Sequence, residues 1–313
     1  MLSGVLFALA AGLMWGLVFV GPLLLPDYPA ALLTFGRYLA FGFIALPLAY
    51  LDRHEIRRLT RADWLAALKL AAIGNVLYYL FLSSAIQRAG GALPTMIIGT
   101  LPVVIAVAAN VLNHQRDGRF SWHKLLPPLA LILLGIACVN HVEWNALLQQ
   151  PQADTDRYIL GALLAMGALV CWTWYPLQNA NWLRGHPDRN PRVWATAQGI
   201  ATLPLALLGY AGFWLWTSAT QNPLPMPLGP RPWEFLGLMM TIALLASWLG
   251  TLCWNAASQR LPTALAGQLI VFETLAALAY AFWLRGQWPE PLTVAGIALL
   301  VLGVIVGVRV KPV

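Results

Sequence analysis

Ten apolar runs, each near the roughly 20 residues a helix needs to cross bilayer hydrocarbon, constrain this chain more than any motif does. They lie at about 3–25, 30–51, 64–87, 93–113, 124–140, 158–183, 193–217, 233–258, 263–284 and 292–308, most of them joined by short loops. What remains cannot cover a water-facing surface. Only 10% of the 313 residues are charged, against roughly 25% in soluble domains. The expected fold class is therefore an all-α integral membrane protein with ten transmembrane helices.

The chain also repeats itself. Residues 4–15 (GVLFALAAGLMW) align without a gap to 161–172 (GALLAMGALVCW), so Gly4, Leu6, Ala8, Ala11 and Trp15 recur as Gly161, Leu163, Ala165, Ala168 and Trp172. The same offset of 157 aligns ALPLA at 45–49 with TLPLA at 202–206. An offset of 172 pairs Gln87-Arg88 with Gln259-Arg260, and one of 168 pairs Pro94-Thr95 with Pro262-Thr263 and Gly99 with Gly267. So long a period means duplicated halves rather than a stacked array. The expected division is 1–150 and 151–313, five helices each. Five is odd, so the second half enters the membrane from the opposite side. Inverted repeats of this kind build many secondary transporters, with the substrate site near the midplane in a central cavity between halves.

Loop cations set the expected orientation. Arg53, Arg57, Arg58, Arg61, Arg116, Arg119, Lys124, Arg184, Arg189, Arg192, Arg260, Arg309 and Lys311 gather at one side. The other side carries Arg88, Arg157, Arg231 and Arg285 among Asp27, Glu143, Asp154, Asp156, Glu234 and Glu290. The positive-inside rule places both termini in the cytoplasm, with the protein in a bacterial inner membrane. The net charge of +7 is thus an orientation signal and implies no nucleic-acid partner. Cys138, Cys171 and Cys253 sit in apolar runs without metal-ligand or disulfide spacing, and no cofactor is expected.

Asn75, Tyr78, Tyr79 and Leu82 fall on one face of the third helix. Their counterparts at +172 are Ser247, Gly250, Thr251 and Trp254 on the eighth. A polar and aromatic stripe in both halves fits a cavity wall; helix–helix hydrogen bonding is the alternative. Trp15 and Trp172 lie mid-helix and serve either to stack on a planar substrate or to fill a seam. Charges inside hydrocarbon are functional by default. Lys69 can snorkel to the interface. Arg37 suits a substrate carboxylate or a buried pair. Glu273, the deepest acid, suits a substrate ammonium, a coupling proton or a pair with Arg37. Pro94, Gly99, Pro102, Pro176, Pro262 and Gly267 are the expected hinge or gating positions, because interrupted helices at corresponding places mark the moving parts of transporters. Gly12-x-x-x-Gly16 and Gly303-x-x-x-Gly307 are close-packing seams, expected inside a monomer.

Two five-helix halves, each opening G-x-L-x-A…W and closing in a Gly-rich helix, resemble the EamA-type drug/metabolite transporter superfamily along essentially the whole chain. Within it the chain is most similar to aromatic amino-acid exporters of the YddG type. The resemblance implies that helices 1–4 and 6–9 line the pathway and that helices 5 and 10 pack outside. It also exposes departures. Thr274 follows Glu273 where a Pro is often found, and the first helix lacks the glutamate of the small multidrug transporters. The expected substrate contacts are Trp15, Asn75, Tyr78, Tyr79, Trp172, Ser247, Thr251, Trp254, Gln268 and Glu273, and the expected function is alternating-access export of aromatic or other neutral amino acids. A broader drug or amine exporter is the alternative within transport. An intramembrane enzyme would need converging nucleophile, base or metal ligands. Yet His54, His114, His123, His141 and His186 all lie in loops or at helix ends.

Overall fold

The computed structural model describes residues 2–89, 92–112, 120–141, 145, 155–220, 224–286 and 288–310, which are helical apart from their connections. The helices are α1 (Leu2–Phe19), α2 (Ala30–Leu51), α3 (Arg61–Ala89), α4a (Ala92–Gly99), α4b (Leu101–Leu112), α5 (Trp122–Val139), α6 (Thr155–Gly185), α7 (Pro191–Ser218), α8 (Pro232–Ser258), α9a (Thr263–Leu269), α9b (Val271–Arg285) and α10 (Pro291–Val308). Among the described residues, nine spans are long and apolar enough to cross a membrane. The shorter α4b, with α4a before it, occupies the place of the expected fourth span, so a tenth full-length crossing stays an expectation. Leu13, Leu163, Val170 and Leu208 point outward, as lipid-facing side chains do, while Ala11, Ala168 and Trp194 are buried within the bundle.

The helix ends follow from local chemistry. Thr60 caps α3 in a reciprocal capping box with Asp63. Asn190 caps α7, and Pro191 starts it where a missing N–H costs nothing. Pro47 and Pro204, equivalent at the offset of 157, sit inside α2 and α7 without ending them.

Packing respects the repeat. The pairs α2–α7 and α5–α10 each map onto themselves when the halves are exchanged, and α1–α8 exchanges with α6–α3. Likewise α1–α9b exchanges with α6–α4. The fourth and ninth helices also meet, but through unlike pieces, α4b against α9a. Two further features recur in register. Residues Ala71–Leu77 of α3 and Ala243–Leu249 of α8, again 172 apart, are both wound as π-helix. Such segments leave backbone groups out of the regular ladder and occur often at functional sites. The fourth and ninth helices both break, at Thr100 and at Ile270.

These breaks refine the expected hinges. Gly99 and Pro102 flank the first break, and Gly267 precedes the second by three residues. Pro94 and Pro262, by contrast, do not interrupt helices. Pro94 stands in the first turn of α4a and Pro262 is the N-cap of α9a, positions where proline loses no intrahelical bond. Pro176 lies inside α6, which runs continuously through it.

The small-residue motifs face inward. A Cβ at Gly12 would stand 2.9 Å from Cβ of Phe272 and 3.0 Å from the backbone nitrogen of Glu273. One at Gly16 would meet Ala276 at 2.6 Å. This seam lets α1 approach α9b closely enough to seat Glu273. Gly303 and Gly307 lie against α5 and Gln268.

Candidate functional site

Four helices meet at an aromatic centre. Trp172 of α6 is sandwiched between Tyr78 of α3, stacked at 4.6 Å between ring centroids, and Tyr175, stacked at 5.1 Å. Trp15 of α1 stands edge-on to Trp172 at 5.3 Å and tilts against Trp254 of α8 at 5.2 Å. All five rings are at least nine-tenths buried. Thus α1, α6, α3 and α8, two repeat-related pairs, each supply at least one ring. Tyr175 was not among the expected contacts, although it follows Trp172 by three residues on the same helical face. Gly74 makes room for it: a Cβ there would lie 2.7 Å from Cγ of Tyr175.

The two halves use their tryptophans differently. Trp15 Nε1 donates to the carbonyl of Ala246 at 2.9 Å, inside the π-helical stretch of α8. The N–H groups of Trp172 and Trp254 are buried with no acceptor among the described residues. An unpaired buried donor costs about 1–3 kcal/mol, so the centre holds two donors ready for an acceptor.

The charged groups border these rings. Arg37, in α2 and 7% exposed, donates from Nε to Oγ of Ser247 at 2.9 Å. Its guanidinium carbon lies 5.0 Å from the centroids of both Tyr38 and Tyr79, within cation–π range. Glu273 occupies the first turn of α9b just after the Ile270 break, where the helix dipole favours an anion. It is 5% exposed, and its Oε2 has no partner among the described residues. No ion-pair contact within 4.0 Å joins Glu273 to Arg37 among those residues.

Other expected contacts are placed elsewhere. Asn75 is half-buried and donates to Oγ1 of Thr202 at 3.3 Å, a link from α3 to α7. Thr251 is buried on α8. Tyr79 reaches the Val18 carbonyl at 3.4 Å. Gln268 turns from the rings toward Ala264 and Gly307 of α10.

A second polar layer lies toward the arginine-rich end. Asn179, fully buried on α6, donates to Oδ1 of Asn255 at 2.8 Å and accepts from Trp194 at 2.9 Å and Gln198 at 3.2 Å. Gln198 in turn accepts from Tyr175 at 2.9 Å. Further out, Arg184 bonds the carbonyls of Ser258 and Leu261, Asp63 accepts from Trp182, and Asp52 pairs with Arg192. Thus α6 and α8 are tied from the centre outward. The equivalent positions are Pro22, just past the end of α1, and Ser83 of α3. Ser83 bonds within its own helix and to Thr34, not to α1. At that opposite end Arg231 ties α8 to Asp27 and to the Leu24 carbonyl. The Arg231 hydrogen bond holds the Asp27 carboxyl below the ordinary carboxylate range, so this tie is kept at neutral pH and loosens only in acid.

A multi-pass helical bundle with a buried polar-aromatic site shared by repeat-related helices defines a membrane solute transporter. The comparisons with known proteins agree. The EamA-like transporter family model matches residues 2–141. The chain is 56% identical over 312 residues to the inner membrane protein YtfF of Escherichia coli (strain K12), covering 100% of this chain and 97% of that one. It is 27% identical over 304 residues to the uncharacterized transporter YwfM of Bacillus subtilis (strain 168), covering 96% and 92%. A solved crystal structure shares the fold with a TM-score of 0.73 at 19% identity, over 97% of both chains. The chain belongs to the EamA-like transporter family.

Proposed function

We propose that this protein exports aromatic and other neutral amino acids by alternating access between two inverted halves, 1–150 and 151–313. The observation that carries the reading is the aromatic centre around Trp172, where the N–H groups of Trp172 and Trp254 have no acceptor among the described residues. Aromatic walls suit an apolar or aromatic side chain, and buried donors suit its carboxylate. The buried Asn179–Asn255 tie between α6 and α8, whose counterpart positions Pro22 and Ser83 are not bonded to each other among the described residues, supports a bundle closed at its arginine-rich end. Opening there would require Asn179 and Asn255 to part. The name of the 56% identical relative supports an inner-membrane location, and the loop cations support cytoplasmic termini.

The test is efflux from proteoliposomes loaded with radiolabelled phenylalanine, tryptophan or leucine, with and without a pH gradient. Saturable efflux of phenylalanine and tryptophan is expected; failure of all three would overturn the reading. Single-cysteine labelling should find positions 53–61 cytoplasmic and 224–231 outside, and labelling both from one side would overturn the orientation. A second reading, export of apolar amines, is favoured by the unpaired Oε2 of Glu273 among aromatic rings. Efflux of phenethylamine at the rate of phenylalanine would select it.

A further inference from the structure

We infer that Arg37 and Glu273 are the two ends of a clamp for a free α-amino acid zwitterion, Arg37 taking the α-carboxylate and Glu273 the α-ammonium. The inference rests on the amino-acid reading above and narrows it to substrates that keep both groups.

Both charges are more than nine-tenths buried within a helical membrane bundle, where an uncompensated charge is costly. A direct ion pair would relieve both, yet the structure holds them apart. Each is fixed by its own support. Ser247 engages Nε, and the Tyr38 and Tyr79 rings flank the guanidinium. The planar fork that remains matches a carboxylate. Glu273 is fixed by the Ile270 break and the Gly12 seam, with its own N–H bonded to the Ile270 carbonyl at 2.9 Å. Its Oε2 has no partner among the described residues.

The separation suits a bridge. The ammonium and carboxylate of an α-amino acid are two bonds apart, and a hydrogen bond at each end adds roughly 2.8 Å. Such a ligand can bridge two charges that are not paired directly within 4.0 Å. Tyr78, next to Tyr79 in α3 and stacked on Trp172, would then lie beside the substrate side chain. A zwitterion neutralises both buried charges at once. A simple amine or acid neutralises one and leaves the other exposed to the cost of burial.

The purified full-length protein in detergent is titrated with L-phenylalanine, phenethylamine and 3-phenylpropionate, and binding is followed by calorimetry. Wild type is expected to bind phenylalanine at least about tenfold more tightly than either analogue, the scale of one charge-assisted hydrogen bond. Arg37→Gln should bring phenylalanine down to the level of phenethylamine while changing phenethylamine little. Glu273→Gln should bring it down to the level of 3-phenylpropionate. Equal wild-type affinity for all three ligands would overturn the clamp and leave an aromatic site standing. Failure to bind any of them would overturn the amino-acid reading and the clamp together. If either variant does not fold, the wild-type analogue series decides alone.

Discussion

Trp15→Phe is expected to destabilise the protein clearly more than Trp172→Phe, although the two tryptophans are equivalent in the repeat. Both substitutions shrink a ring packed among others, and that loss is similar for the two. The difference lies in the N–H. Trp15 Nε1 is bonded to the Ala246 carbonyl at 2.9 Å, so Phe removes a buried bond and leaves a carbonyl unpaired. Trp172 Nε1 has no acceptor among the described residues, so Phe removes a penalty instead. Each effect is on the order of 1–3 kcal/mol, and they act with opposite sign. Thermal unfolding of the purified variants measures the gap. Binding should reverse the order: if the substrate carboxylate uses the Trp172 N–H, Trp172→Phe loses roughly ten- to a hundredfold in affinity, the net worth of a hydrogen bond to a charged group. Equal melting temperatures for the two variants would show that the N–H groups are not what distinguishes the halves.

The other large effect is expected at Asn179. Its side chain serves Asn255, Trp194 and Gln198 at once, at 2.8, 2.9 and 3.2 Å. Leucine of similar volume leaves one buried acceptor and two buried donors unpaired. At about 1–3 kcal/mol each, the loss is roughly 3–9 kcal/mol, a large part of a folding free energy on the order of 5–15 kcal/mol. Asn179→Leu should therefore fold poorly or melt far below wild type. Asn75→Leu is the control, because it removes one half-buried bond of 3.3 Å and is expected to cost less than about 1.5 kcal/mol. Comparable melting temperatures for Asn179→Leu and Asn75→Leu would mean that water or backbone groups stand in for Asn179.

The helix layout was legible in the sequence. Apolar runs and the proline, asparagine and threonine signals at their ends placed the observed helices to within a few residues, because a bilayer requires backbone bonds to be satisfied within each span. The repeat was legible too. The offset of 172 that aligned Tyr78 with Gly250 also relates the two π-helical segments, and Trp15 and Trp172 both reach the aromatic centre. The contacts of individual polar groups were not legible. Asn75 and Gln268 carry the same chemistry as Asn179 and Gln198, yet one links helices and the other faces α10. The stripe of the third helix named Asn75 and passed over Tyr175, whose place depends on a glycine of a neighbouring helix. Sequence also aligns Trp15 with Trp172 and Ala246 with Gly74, which predicts equal roles. Only the tertiary structure gives one indole a carbonyl and leaves the other open. That choice is made by packing between helices, because the acceptor for Trp15 is a carbonyl in the π-helical stretch of α8, a contact that no single run contains.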